Sequence, residues 1–230
     1  VTIKNPYDCL YELEKAIFLA QDGRKGPVWI EIPLDIQSFK ISDKKKLKRF
    51  KIPKKKKNKI KLDNVLKLIK NSEKPIFIIG NGVKQSGSKK IFDQINNKLN
   101  IPFLSSRFAI DLFPYSKNNN LGQVGIKGQT YNKDICSKSD LIISLGCRMS
   151  PALIMENKNI FSNKTKKIIV DISKESLKHP LIKFDLKFNE DVSYFLKELK
   201  NKLVKINYKQ DDKKKVWQKY CNELKKNNPI

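Results

Sequence analysis

Three short apolar runs constrain the fold of this 230-residue chain more than any other feature of its sequence. They occupy residues 76–79, 141–145 and 168–170, and each is bounded by proline, glycine or a charged residue. Runs of this length that are rich in isoleucine are typical of strands buried on both faces of a parallel sheet. The sequence therefore predicts a parallel sheet with helices on both sides.

Helical patterns alternate with these apolar runs. Apolar residues recur at helical spacing over residues 62–69, 91–99 and 192–203, and a shorter helix is expected over 131–137. Alternating strands and helices imply right-handed βαβ crossovers. We predict an α/β fold over residues 61–205, a doubly wound parallel sheet of Rossmann-like form. Its strands are expected to start near Pro75, Asn100, Asp140, Lys167 and Lys183.

The residues before this sheet are interpreted as the end of another α/β domain. Residues 6–21 carry apolar side chains at helical spacing, and residues 28–32 form a β-rich run closed by Pro33. A strand at 28–32 needs a sheet to join, so residues 1–39 are predicted to close a preceding domain. We therefore expect the parent reading frame to extend on both sides of this chain.

Two polar stretches are predicted to be linkers. Residues 40–60 contain two lysine clusters around Pro53, and like charges with little apolar surface favour an exposed connection. Residues 206–230 are polar apart from an amphipathic piece around Trp217. We predict that they lead toward a further domain.

Composition bears on the class of partner. The formal charge of +26 suggests nucleic-acid binding, but arginine, which recognises phosphate best, occurs at only four positions. We therefore attribute the charge to an overall composition that is rich in lysine, asparagine and isoleucine. We expect no nucleic-acid partner. No apolar stretch approaches the roughly 20 residues needed to cross a bilayer. The four cysteines lack metal-site or disulfide spacing, which favours a reducing cytoplasm.

Ligands of an open parallel sheet bind beyond the carboxyl ends of its strands, where glycine allows close backbone approach and helix N-termini face outward. Several loops of the predicted sheet have suitable residues there. Each glycine is also explained by a tight turn between strand and helix. The candidate cofactor-binding residues are Gly80, Gly82, Ser105, Gly125, Gly128, Gly146, Arg148 and Asp171.

Residues for catalysis or metal binding are not evident. Glu31 and Asp35 would share one face of a strand, but no acid–base partner accompanies them and Asp35 fits a turn after Pro33. The only histidine, His179, stands beside Pro180 and is expected to be a surface loop residue. We predict no catalytic residue and no metal ligand in this chain.

Taken in order, the segments resemble thiamine-diphosphate-dependent enzymes related to acetolactate synthase. The resemblance covers residues 6 to 205. It is carried by Gly23-Arg24-x-Gly26-Pro27-Val28, Lys74-Pro75-Ile76, Ile101-Pro102, Gly122-x-x-Gly125-x-x-Gly128, Ser139-Asp140-Leu141-Ile142-Ile143-x-Leu145-Gly146-x-Arg148 and Ile169-Val170-Asp171-Ile172. The first and fifth of these segments are the most specific.

The resemblance implies a larger enzyme with three α/β domains, acting as a homodimer or homotetramer on a 2-oxo acid. Such enzymes decarboxylate the 2-oxo acid on thiamine diphosphate held through Mg²⁺, and protonate the product or join it to a second carbonyl compound. The cofactor-activating glutamate would precede residue 1, and the Mg²⁺-binding motif would follow residue 230. The chain by itself is therefore expected to be inactive.

In some members of this family the central domain also holds FAD, or ADP as an activator. The matching positions here also include Ser106, Lys127, Ile172 and Asp191. FAD-binding members continue their Gly-x-Arg segment with aspartate and a further arginine, whereas residues 149–152 are Met-Ser-Pro-Ala. A histidine is usual at the position of Lys127. These departures argue against FAD in this chain.

Three classes of function are distinguished by these features. A portion of a decarboxylating or carboligating enzyme agrees with all the segments together. A free-standing nucleotide-binding module would leave the αβ unit of residues 1–39 without a role. A basic RNA-binding protein would need more arginine and an aromatic stacking surface.

Overall fold

The computed structural model describes residues 1–54, 59–154, 160–208 and 211–228. The chain forms two compact units, Val1–Lys59 and Ile60–Ile230. In the described part of the chain, the helices are either too short or too polar to cross a membrane.

The first unit is built around one amphipathic helix, as predicted for residues 6–21. A 3₁₀ turn at Pro6–Asp8 leads into α1, Cys9–Gln21, and the side chain of Asn5 caps the turn by accepting from the N–H of Tyr7 at 3.0 Å. The short helix α2 covers Leu34–Ser38, and a second 3₁₀ turn covers Lys44–Lys46.

The prediction of a strand at residues 28–32 is wrong. Only Glu31 pairs, through a parallel bridge to Thr2, and its N–H donates to the carbonyl of Val1 at 2.8 Å. A β-rich run becomes a strand only where neighbouring strands satisfy its backbone, and residues 1–54 offer one short extended segment. Trp29 remains 78% exposed. Asp35, expected in a turn, lies in α2 instead.

Part of the predicted linker at 40–60 is attached to α1. The carboxylate of Glu14 accepts from Arg49 and from the backbone N–H of Phe50. The ring of Phe50 packs against Tyr11 and Phe18, with centroids 5.7 Å and 5.4 Å away. The second lysine cluster of this stretch lies largely outside the described residues.

The second unit contains the predicted doubly wound sheet. Its six strands are all parallel in the order β3-β2-β1-β4-β5-β6, which confirms the α/β fold. The strands are β1 Pro75–Ile79, β2 Phe103–Ser105, β3 Asn120–Gln123, β4 Leu141–Leu145, β5 Lys166–Asp171 and β6 Leu186–Asn189.

Helices cover both faces because side chains of one strand alternate between them. Phe77 and Ile79 point into the core formed with α3, α5 and α8, whereas Ile76 and Ile78 point into the core formed with α6, α7 and α9. The helices are α3 Asp63–Asn71, α4 Asn81–Gln85, α5 Lys89–Leu99, α6 Tyr131–Lys138, α7 Pro151–Ile154, α8 Val192–Lys205 and α9 Asp212–Asn227.

Strand β3 contains the first glycine of the Gly122-x-x-Gly125-x-x-Gly128 segment and was not predicted as a strand. It begins at Asn120, contains Gly122 and lies at the edge of the sheet. The sequence did not indicate this strand, because asparagine and glycine, here Asn120 and Gly122, are depleted in strands. The side chain of Asn120 donates to the carbonyl of Phe113 at 3.1 Å and so holds the strand in place.

The prediction of a linker is wrong for residues 212–227. They form helix α9, which packs on the sheet. Trp217 is 4% exposed, and its indole N–H donates to the carbonyl of Pro75 at 3.1 Å. The ammonium group of Lys225 donates to three backbone carbonyls, among them Asn120 O at 2.9 Å. Helix α9 is therefore an integral part of the second unit.

Candidate functional site

The strand order places the candidate site between β1 and β4. Chain connections run from β1 toward β2 on one side, and β4 begins the other half of the sheet. Ligands of open α/β sheets bind beyond the carboxyl edge at such a point. Gly80 and Gly82 follow β1, and Gly146 follows β4, as predicted.

These three glycines pack directly against one another. The N–H of Gly82 donates to the carbonyl of Gly146 at 3.0 Å, and the N–H of Gly80 donates to Leu145 O at 2.9 Å. A Cβ on Gly80 would lie 2.1 Å from the carbonyl oxygen of Gly146. The close approach that these glycines permit is therefore used at least partly by the protein backbone itself.

Cys147 is buried where the loops after β1 and β4 meet, a position that its place in the sequence does not indicate. Its backbone is 2.5 Å from the position that a Cβ on Gly80 would take. Two neighbours act on the pKa of the thiol in opposite directions, with the Asp171 carboxylate raising it and the Ser106 side chain lowering it. Ser105 is buried in β2, beside β1.

Asp171 ends β5 and is also buried. Its carboxylate accepts from the N–H of Ser173 at 2.9 Å, which fixes the turn after the strand. Asp191, which the resemblance places near a nucleotide, accepts from the N–H of Ser193 at 2.7 Å as the N-cap of α8. Both carboxylates thus have structural tasks.

Arg148 is exposed just beyond Cys147, and Lys127 is exposed in the loop after β3. They are the two predicted cationic candidates at this edge of the sheet. The next residue, Met149, adopts a left-handed backbone conformation with φ of 52°.

His179 holds the loop that carries Arg148, a contact that nothing in the sequence indicates. Its Nδ1 accepts from the N–H groups of Leu181 and Ile182, both at 3.1 Å. Since Nδ1 accepts, the proton is on Nε2, which donates to the carbonyl of Met149 at 2.8 Å. His179 is therefore a positioning residue, and the expectation of a plain surface residue was incomplete.

Gly125 and Gly128 are separate from the glycine cluster. Gly125 has φ of 113°, and a Cβ there would lie 2.7 Å from the carbonyl of Ala152 in α7. A Cβ on Gly128 would lie 2.1 Å from the carbonyl oxygen of Gln123 at the end of β3. Both glycines serve tight packing in the structure.

A protein-family model described as "Thiamine pyrophosphate enzyme, central domain" matches residues 62–199. The match runs from the start of α3 into α8. This region is more than half of the chain and contains all six strands. The chain belongs to the thiamine pyrophosphate enzyme family. The resemblance inferred from the sequence is thereby confirmed.

The chain is also similar in sequence to several acetolactate synthases and to a hydrolase. The probable acetolactate synthase large subunit of Methanocaldococcus jannaschii is 27% identical over 97% of this chain and 38% of its own length. Acetolactate synthase 2, chloroplastic, of Nicotiana tabacum is 29% identical over 70% of this chain and 24% of its own length. The 3D-(3,5/4)-trihydroxycyclohexane-1,2-dione hydrolase of Clostridium tetani is 28% identical over 90% and 33%. The chain thus spans well under half of these relatives.

The described residues contain no group of three or more His, Cys, Asp or Glu side chains that could hold a metal ion. We therefore assign no cofactor step to them.

Cys147 is also unsuited to nucleophilic chemistry at neutral pH. Burial, assisted by the Asp171 carboxylate, raises the pKa of the thiol from 9.0 to about 11. A thiol is a weak nucleophile until it ionises. Cys147 therefore acts as a small packing residue under the glycine loops.

This pKa predicts how stability depends on pH. The unfolded chain ionises Cys147 at lower pH than the folded chain, so stability is unaffected below about pH 9 and falls as pH rises toward about 11. We expect a loss of about 2 kcal/mol from this group. Urea unfolding of wild type and Cys147→Ala at pH 8 and 11 measures it. The variant should lose less stability between the two pH values, and equal losses would contradict the assignment.

Proposed function

We propose that this chain is the central portion of a thiamine-diphosphate-dependent 2-oxo-acid decarboxylase or carboligase of the acetolactate synthase type. The observation that carries the proposal is the family match across the whole six-stranded sheet. Acetolactate synthase large subunits that align with up to 97% of the chain support it further. We propose a 2-oxo acid as substrate, a homodimer or homotetramer as the assembly, and the cytoplasm as the location.

In this proposal the catalytic groups lie outside residues 1–230. When bound elsewhere in the enzyme, thiamine diphosphate with Mg²⁺ supplies the carbanion chemistry. The central domain supplies a rigid body: β1 and β4 are buried on both faces, and backbone hydrogen bonds fix their loops to each other. The parent polypeptide would then be longer than this chain on both sides.

The direct test measures carbon dioxide release from pyruvate by the full-length protein. We expect release that requires both thiamine diphosphate and Mg²⁺, and residues 1–230 assayed in parallel should be inactive. Formation of acetolactate would assign the carboligase branch, whereas acetaldehyde would assign simple decarboxylation. Absence of turnover with pyruvate and with longer 2-oxo acids would overturn the proposal.

We further propose that the central domain does not bind FAD tightly. Ser150 and Ala152 replace the aspartate and arginine of the family pattern, and hydrogen bonds to charged groups contribute about 1.5–3 kcal/mol each. Any bound nucleotide would lie over Gly80, Gly82 and Arg148, with its phosphates near the N-terminus of α4. The N–H of Gly82 already donates to Gly146, which leaves fewer donors for a diphosphate.

We expect the purified full-length protein to be colourless. If ADP stimulates its activity, the response should be lost in Arg148→Ala, because an exposed guanidinium after β4 would contact the phosphates. Lys187→Ala, which removes an exposed charge at the far edge of the sheet, should retain it. Yellow protein that releases stoichiometric flavin on denaturation would contradict the prediction.

A further inference from the structure

A cleft of the second unit lies at the edge of the sheet opposite to the glycine loops. It has a volume of about 740 Å³, which is within the range of small-molecule sites. Asn100 precedes β2, and Asn118 and Asn119 precede β3, so the cleft lies at the amino ends of these strands. Here it is called the amide–lysine cleft. Its lining residues are Asn97, Asn100, Lys117, Asn118, Asn119, Lys215, Gln218, Lys219, Asn222, Glu223 and Lys226.

One face of α9 forms a wall of the cleft. Lys215, Lys219, Asn222 and Lys226 follow one another at intervals of four, three and four residues. Side chains at this spacing lie on the same side of a helix. The packing of Trp217 against the sheet fixes the orientation of this face, because the indole is buried and hydrogen-bonded.

A network of side-chain amides joins α9 to the strand ends. The Nε2 group of Gln218 donates to Asn100 Oδ1 at 2.7 Å and also to the amide oxygen of Asn119. Asn119 Nδ2 donates to Asn100 Oδ1 at 2.8 Å. These contacts fix amide groups at the cleft before any ligand arrives, which reduces the entropy lost on binding.

The charge of the lining is strongly positive, with four lysines against the single carboxylate of Glu223. Lys117 pairs with Asp93, and Lys215 pairs with Asp212 at 2.7 Å. Lys219 and Lys226 form no ion pair with any other described residue. Two exposed ammonium groups thus remain available to an anion.

Asn222 lines the same cleft, and its side-chain amide is only partly satisfied. Its Oδ1 atom is buried and has no hydrogen-bond partner within the described part of the chain. A buried polar atom without a partner costs about 1–3 kcal/mol.

We propose that the amide–lysine cleft binds a small phosphate ester that carries several hydroxyl groups, of the sugar phosphate class. Lysines recognise the phosphate, and amides both donate to and accept from hydroxyl groups. None of the described lining residues is aromatic or aliphatic. A nucleobase would therefore have no surface on which to stack, which distinguishes this site from a nucleotide site.

The experiment titrates glucose 6-phosphate into the full-length protein at constant ionic strength, with calorimetry as the readout. Glucose and inorganic phosphate are titrated separately. We expect glucose 6-phosphate to bind at least about tenfold more tightly than either, because it engages amides and lysines together. The double variant Lys219→Gln/Lys226→Gln should weaken binding by about tenfold or more.

The matched control is Lys183→Gln/Lys187→Gln, which removes the same charge from exposed positions around β6. This control should bind as wild type does. A second variant, Asn222→Asp, nearly preserves shape but adds a negative charge, and it should also weaken binding. Equal weakening in the control, or an unchanged affinity in the cleft variants, would overturn the proposal. So would glucose 6-phosphate that binds no better than inorganic phosphate, or that does not bind at all.

Discussion

Replacing Trp217 with alanine is expected to destabilise the second unit by about 3–5 kcal/mol. The indole is buried against the sheet, stacks on Tyr220 at a centroid distance of 5.5 Å and donates to the carbonyl of Pro75 at 3.1 Å. Alanine would leave a cavity beneath α9 and remove the hydrogen bond to the carbonyl of Pro75. Urea unfolding followed by far-UV circular dichroism measures the loss.

The neighbouring residue provides the control for this prediction. Val216 is 71% exposed on the same helix, so Val216→Ala should change stability by no more than about 0.5 kcal/mol. If Trp217→Ala behaved like Val216→Ala, residues 212–227 would be the linker that their polar composition suggests. A large difference between the two variants would establish α9 as part of the domain.

Replacing Gly146 with alanine is expected to have a comparable effect at the candidate site. The residue has φ of 55°, and a Cβ there would lie 2.6 Å from the backbone Cα of Gly82. The left-handed conformation costs about 1–2 kcal/mol for a residue with a Cβ. Crowding against backbone that cannot rotate away adds about 1–3 kcal/mol.

Gly87 separates these two contributions. It has a similar φ of 65°, but no atom lies within 4 Å of where its Cβ would be. Gly87→Ala should therefore show only the conformational cost, and Gly146→Ala should lose distinctly more. Urea unfolding of both variants measures the difference. Equal losses would show that the loops after β1 and β4 do not press against each other.

The sheet could be predicted from sequence because its central strands carry their own signal. Residues 76–79 and 141–145 are apolar except for Ser144, and their strands begin close to where expected, at Pro75 and Leu141. In such strands local composition and tertiary burial agree. The same agreement explains the correctly predicted helix at residues 192–203.

The errors occur where tertiary context overrides composition. Residues 28–32 have the residue types of a strand but gain only one bridge, because a strand depends on its neighbours. Strand β3 has the opposite character, with polar residues and glycine held in place by β2. Helix α9 is polar on most of its surface, and three buried residues, Lys214, Trp217 and Cys221, anchor it.

The candidate site was partly visible in the sequence. Gly80, Gly82 and Gly146 were identified from strand ends, and the structure brings them together. The central position of Cys147 and the support from His179 depend on how distant loops pack. Sequence spacing carries no information on those contacts. The placement of Gly125 beside α7 has the same origin.

The central claim is that this chain is the middle domain of a thiamine-diphosphate enzyme and does not itself hold the cofactor. Calorimetric titration of thiamine diphosphate with Mg²⁺ tests it most directly, with the full-length protein and residues 1–230 measured side by side. The account predicts stoichiometric, Mg²⁺-dependent binding to the full-length protein and no binding to residues 1–230. Binding to residues 1–230 alone, or to neither protein, would contradict it.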